Sequence, residues 1–115
     1  MKNGKHTADG TQRWYQNDKI HRNDGPAEIY ADGDQRWYQN GKIHRNDGPA
    51  ETWTNGDQYW YQNDKLHRTD GPAVIWANGS QFWYQNGKEF TEEEFKIHLD
   101  SLEFDKMIRE LCSGE

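Results

Sequence analysis

The stretch that decides the fold is Arg36–Gln58, RWYQNGKIHRNDGPAETWTNGDQ. Nearly the same words stand before and after it. Trp14, Trp37, Trp60 and Trp83 follow one another at intervals of 23 residues. Ile20, Ile43 and Leu66 keep that interval, as do His21, His44 and His67 and the Arg22, Arg45 and Arg68 behind them. So do the Asp-Gly-Pro-Ala runs that begin at Asp24, Asp47 and Asp70. A fixed period this short marks a repeat array, in which each unit buries its faces against its neighbours.

Each unit carries two turn signals. Ala27–Ala31, AEIYA, runs into Asp32-Gly33, and Asp34–Gln39, DQRWYQ, follows; Asn55-Gly56 and Asn78-Gly79 take the same place later. Asp-Gly or Asn-Gly between β-prone runs favours a two-residue type I′ turn. That register sets Glu28 opposite Trp37 and Ile29 opposite Arg36. One face then carries Tyr30, Trp37, Trp53, Trp60, Val74, Trp76 and Trp83, and its Trp ladder is the expected core. The other carries Ile29, Arg36, Tyr38, Thr52, Tyr59, Tyr61, Ile75, Phe82 and Tyr84. It reads as a binding surface or the inner wall of a curved sheet.

The second tight turn follows each Trp-Tyr-Gln run, at Asn17-Asp18, Asn40-Gly41, Asn63-Asp64 and Asn86-Gly87. The chain returns through Lys-Ile-His-Arg, a short strand that Pro26, Pro49 and Pro72 interrupt because proline has no N–H for a ladder. Gly25, Gly48 and Gly71 precede those prolines, which suggests a corner conformation that other residues dislike.

The expected architecture is mainly β: an elongated, single curved sheet of antiparallel hairpins, capped by one or two short C-terminal helices. Residues 1–12 are a worn partial unit, 13–90 the array, and 91–115 an acidic amphipathic tail. The tail opens with Thr91 as a cap, Glu94 to complete a capping box, and Phe90 to staple onto Phe95. Phe95, Leu99 and Leu102 form one apolar stripe; Phe104, Met107, Ile108 and Leu111 continue an apolar surface at helical spacing. Asp100 and Glu103 offer a second capping box. The tail reads as a lid over the last hairpin, with a dimer or partner contact as the rival role.

Only 31% of the chain is apolar and 30% is charged, yet six Trp, six Tyr and four Phe supply large buried areas per side chain. The core is therefore expected to be thin, aromatic and layered. No apolar run approaches the ~20 residues that span a membrane, the N-terminal MKNGKHTADG has no hydrophobic signal segment, and Cys112 stands alone. These point to a cytoplasmic protein. Residues 1–90 are nearly neutral, whereas 91–115 hold 8 acidic and 3 basic side chains. An acidic tail on a near-neutral array gives nucleic acid no clustered Lys and Arg to bind.

The repeated His-Arg-x-Asp invites an acid–base or phosphate-binding reading. A catalytic centre, however, needs one asymmetric constellation, and the copies do not differ in kind. The better reading is a structural clip, in which Asp24, Asp47 or Asp70 accepts backbone N–H or Arg hydrogen bonds at the corner. Equivalent histidines on successive hairpins should lie ~10 Å apart, too far to share one metal ion. No nucleophile elbow or Gly-rich phosphate loop occurs, and no cofactor is implied. The Trp and Tyr residues could also build aromatic cages for a sugar, a choline-like group or a nucleotide.

The unit resembles a divergent MORN-type repeat, carried by Trp37-Tyr38, Asn40-Gly41-Lys42, Asp47-Gly48 and Asp32-Gly33 with their 23-residue equivalents. It departs at Tyr38 and at Gly48-Pro49-Ala50, where that family usually has Gly and Gly-x-Gly. The resemblance covers roughly residues 3–90 and implies an elongated hairpin sheet that binds proteins or dimerises. Similar bacterial repeats are labelled antitoxins, and the His-Arg-x-Asp-Gly-Pro-Ala version is similar to repeats in phage and large-virus proteins. That similarity implies an accessory or anti-defence inhibitor in a host-cell cytoplasm, with a host defence protein as partner. The expected function is a non-enzymatic protein-binding scaffold displaying Arg36, Tyr38, Tyr59, Tyr61, Phe82 and Tyr84. Small-ligand binding and self-assembly through the free edge or helix, including a homodimer, are the alternatives.

Overall fold

A computed structural model of the chain describes residues 1–113. The Cys112 side chain and residues 114–115 of the expected tail lie outside that description. The molecule is thin, with extents of 57 × 39 × 19 Å. Its N-terminal unit holds β1 (Gly4–Ala8), β2 (Thr11–Gln16) and β3 (Lys19–Ile20). The next repeat contributes β4 (Glu28–Ile29), β5 (Gln35–Arg36), β6 (Tyr38–Gln39) and β7 (Lys42–Ile43). Its successor repeats the pattern as β8 (Glu51–Thr52), β9 (Gln58–Tyr59), β10 (Tyr61–Gln62) and β11 (Lys65–Leu66). The last unit has β12 (Val74–Ile75), β13 (Gln81–Gln85) and β14 (Lys88–Phe90), and α1 (Glu92–Ser113) follows.

Every pairing is antiparallel, in the order β1-β2-β4-β5-β8-β9-β12-β13-β14, an open sheet rather than a closed barrel among the described residues. β6–β7 and β10–β11 form separate two-stranded ribbons just beyond Trp37 and Trp60. The mainly β hairpin sheet with a C-terminal helical cap is thus the observed architecture.

The two turns of a unit differ, and one of them corrects the expected register. Both residues of Asn40-Gly41 have positive φ (51° and 80°), as do Asn63 and Asp64 (49° and 68°), which is the type I′ pattern. At Asp32-Gly33 only the glycine is left-handed, at φ 101°. The loop there has three residues: Tyr30 pairs with Asp34, and Glu28 with Arg36 instead of Trp37. The cause is the Asp32 side chain, whose Oδ1 accepts the Asp34 N–H at 3.0 Å and favours a local turn ending on glycine. Asn55 and Asn78 do the same for Asp57 and Ser80. At Asp9-Gly10 the two-residue turn does form, and there Lys5 faces Trp14.

A one-residue slip sends each side chain to the other face of its partner strand. Glu28, Tyr30, Arg36, Glu51, Trp53, Tyr59, Val74, Trp76 and Phe82 therefore share one face, and Trp37, Trp60 and Trp83 take the opposite one with Ile29, Thr52 and Ile75. The expected single Trp ladder does not exist. Trp53 and Trp76 are 41% exposed, and the buried apolar residues are Ala27, Ala50, Ala73, Val74 and Phe95. Ala27 bridges neighbouring strands, accepting from Trp14 N–H and donating to Arg36 C=O, both at 2.8 Å; Ala50 and Ala73 repeat this.

The tail is one helix. Thr91 Oγ1 accepts the Glu94 N–H at 3.1 Å, and Glu94 Oε1 accepts the Thr91 N–H at 2.9 Å, closing the capping box. Asp100 and Glu103 lie inside the helix, so no second cap forms. Phe90 stacks on His98 with centroids 5.1 Å apart, and Phe95 is buried.

Candidate functional surfaces

The repeated corner is held by arginine. Arg22, Arg45 and Arg68 lie 4.0, 3.9 and 4.0 Å above the rings of Trp14, Trp37 and Trp60, a cation–π arrangement. Each Nε donates to the aspartate two residues on, Asp24, Asp47 or Asp70, at 3.0, 2.8 and 2.7 Å. Each Nη1 donates to the carbonyl of Pro26, Pro49 or Pro72. A hydrogen bond from Arg45 and its charge hold the exposed Asp47 carboxyl below its ordinary pKa, and the hydrogen bond from Arg68 does the same for Asp70.

This geometry corrects the reading of the glycines. Gly25, Gly48 and Gly71 do not have left-handed φ. A Cβ at Gly48 would instead lie 2.9 Å from the Arg45 Cζ, and at Gly25 and Gly71 3.0 Å from the equivalent atoms. The corner needs glycine for space, not for conformation.

The histidines join one unit to the next. Nδ1 of His21, His44 and His67 accepts the N–H of Asn40, Asn63 and Asn86 at 3.0, 3.1 and 2.9 Å. That places the proton on Nε2, which in His21 and His44 donates to Asn23 and Asn46. Gln39, Gln62 and Gln85 complete the joint by donating to the carbonyls of Arg22, Arg45 and Arg68. No group of three or more His, Cys, Asp or Glu suited to a metal ion occurs among the described residues.

Between successive corners lie two equivalent clefts of about 520 and 530 Å³. One is lined by Trp60, His67, Arg45, Arg68, Asp47 and Asp70; the other by Trp37, His44, Arg45, Asp24 and Asp47, the equivalents 23 positions earlier of all of these but Arg45.

The opposite face holds a row of rings and ion pairs. Arg13 Nε reaches Glu28 at 2.8 Å, Arg36 reaches Glu28 at 3.4 Å and Glu51 at 3.1 Å, and Arg36 Nη1 donates to the Tyr30 hydroxyl at 2.6 Å. Burial alone would raise the Glu28 pKa, but hydrogen bonds from Tyr30 and Arg13 and the two Arg charges bring it below its ordinary value. Further along, Val74 replaces the glutamate, and rings replace the arginine. Trp53 packs on Tyr59 at 5.7 Å and Trp76 on Phe82 at 4.7 Å.

Of the residues expected on a binding surface, Arg36, Tyr59 and Phe82 thus share this face, and Tyr38, Tyr61 and Tyr84 continue along the same strand runs half-buried. Burial raises the pKa of Tyr38 and Tyr61. Trp53 and Trp76 are the members missed. A signal for the face existed: Glu28 and Glu51 occur where Arg13 and Arg36 do, and Val74 where Tyr59 and Phe82 do.

On α1, Phe95 and Leu99 turn towards the array, whereas Leu102, Phe104, Met107, Ile108 and Leu111 are 46, 58, 50, 42 and 70% exposed. Fold and surfaces together define a helix-capped array of antiparallel hairpins with an exposed aromatic face. No family model, no curated protein and no solved structure matches the chain.

Proposed function

We propose that this chain is a non-catalytic protein-binding module, in which the rigid hairpin array presents an aromatic and arginine-containing face to a partner. The observation that carries the reading is the exposure of Trp53 and Trp76, each 41%, beside Tyr59 and Phe82. Contiguous exposed rings are what an interface core is made of, since aromatics and Arg dominate binding energetics. The neighbouring carboxylates are already paired within the face, so its charge does not repel an apolar partner. If the MORN-type resemblance extends to use, an accessory role against a host defence protein follows.

The test is affinity purification from the native host, with wild type beside Trp53→Ala/Trp76→Ala. The reading expects a protein retained by the wild type and lost by the variant. No retained protein, or equal retention by both, overturns it.

A second reading, small-ligand binding, draws on the paired clefts at the corners, whose Trp, His, Arg and Asp linings suit a polar ligand. It expects ligand-dependent quenching of Trp fluorescence that survives the Trp53→Ala/Trp76→Ala change.

A further inference from the structure

The helix carries two apolar stripes, and only one of them meets the array. At 3.6 residues per turn, Phe95, Leu99 and Leu102 fall on one side. Phe95 is buried, and Leu99 and Leu102, with Asp100, Glu103, Lys106 and Arg109 around them, line a cleft shared with Thr69 of the third corner. Ile97, Phe104, Met107, Ile108 and Leu111 fall on the other side, and all are 42–70% exposed. Ile97, Phe104 and Leu111 are spaced by sevens, with Met107 and Ile108 beside them, which is the spacing of a helix-docking seam. One exposed aliphatic residue needs no explanation. Five on one side of a helix that meets the array only through Phe95 and Leu99 are not accounted for by the fold.

Charge decides what covers them. By the same turn geometry, Asp100 interrupts the outer stripe, Glu103 borders it on one side, and Glu94 and Asp105 border it on the other. Of the basic residues, Arg109 is on the inner side, Lys106 stands between the two sides and shares a shallow cleft with Glu103, Phe104, Met107 and Glu110, and Lys96 pairs with Glu92 at 3.5 Å, so the carboxylates outnumber the free cations along the stripe. A second copy of this helix would set one acidic border against another, which is unfavourable. An apolar helix flanked by Lys and Arg would satisfy both the stripe and its borders.

We propose that the outward side of α1 docks a basic amphipathic helix of a partner protein. This rests on the protein-binding reading and adds a second surface and the chemistry of what it takes. The complex buries the Phe104 and Ile108 side chains between the two helices, with partner ammonium or guanidinium groups along Glu103 and Asp105.

The test uses the full chain and two synthetic amphipathic helical peptides, identical except that one has Lys and the other Glu beside its Leu face. Anisotropy of the labelled peptides reads binding. The Lys peptide is expected to bind on the order of tenfold tighter than the Glu peptide, less so at high salt. Phe104→Asp/Ile108→Asp should abolish binding, and Glu103→Lys/Asp105→Lys should reverse the peptide preference. All four positions are exposed, so unchanged circular dichroism should accompany both variants. Equal binding of the two peptides, or binding that survives the Asp substitutions, overturns the proposal. So does a dimer that the same substitutions abolish, which would assign the stripe to a second copy. If the Lys peptide fails while host-protein capture still depends on Trp53 and Trp76, this inference alone falls.

Discussion

The Arg45 guanidinium lies 3.9 Å above the Trp37 ring and occupies the space that a side chain at position 48 would need. With Asp47 and the Pro49 carbonyl it is held on several sides, so it cannot swing away freely. Gly48→Ala should cost about 1–2 kcal/mol by overpacking. In an Arg45→Ala background the same change should be near neutral or slightly stabilising, because Gly→Ala otherwise restricts only the unfolded chain. Urea unfolding of the four proteins measures this coupling; additive costs would mean that the glycine serves something other than the arginine.

Glu28 gives the fold a pH dependence of definite sign. Its folded pKa lies below the ordinary value of 4.5, so its ion pairs stabilise fully above that pH. The contribution is lost as pH falls through the depressed value. Glu28→Gln should cost about 2 kcal/mol at pH 7, with the gap to wild type closing in acid. A gap that is constant with pH would remove the carboxylate from the account.

The joint between units rests on the glutamine ladder. Gln85 is buried and donates to the Arg68 carbonyl at 2.8 Å, whereas its equivalent Gln39 is half-buried and bonds at 3.0 Å. Gln85→Ala should therefore cost more than Gln39→Ala, the former about 1–2 kcal/mol. Thermal unfolding of the two variants checks the order, and equal losses would contradict it.

Loss of the helix cap is expected to act locally. Thr91→Ala removes the acceptor for the Glu94 N–H and should cost about 1 kcal/mol. Amide exchange should quicken in the first turn of α1 while the β4–β9 strands stay protected. Uniform acceleration through the sheet would mean that cap and array unfold as one unit.

The period, the hairpins, the tight turns after each Trp-Tyr-Gln run and the Thr91 cap were legible because each is a local event written in a few adjacent residues. The faces were not. They depend on whether Asp32-Gly33 closes a loop of two or three residues, and that is decided by one side-chain bond to the Asp34 N–H. The same dipeptide type at Asp9-Gly10 closes the shorter loop, so the word alone does not choose. The role of Gly48 was hidden for a different reason. Crowding by Arg45 is a contact that only the folded corner creates, whereas a glycine before proline reads in sequence as conformational. Glu28, expected opposite Trp37, is instead set beside Arg13 and Arg36 by the observed register, and Glu51 beside Arg36.

The most direct test of the account is iodide quenching of tryptophan fluorescence in the free protein. Trp53 and Trp76 are 41% exposed, while Trp14, Trp37 and Trp60 are half-buried beneath their arginines. Trp53→Phe/Trp76→Phe should remove most of the quencher-accessible emission and leave a poorly quenched remainder. If accessible emission persists in that variant and disappears instead when Trp37 and Trp60 are replaced, the faces are reversed and the binding surface proposed here does not exist.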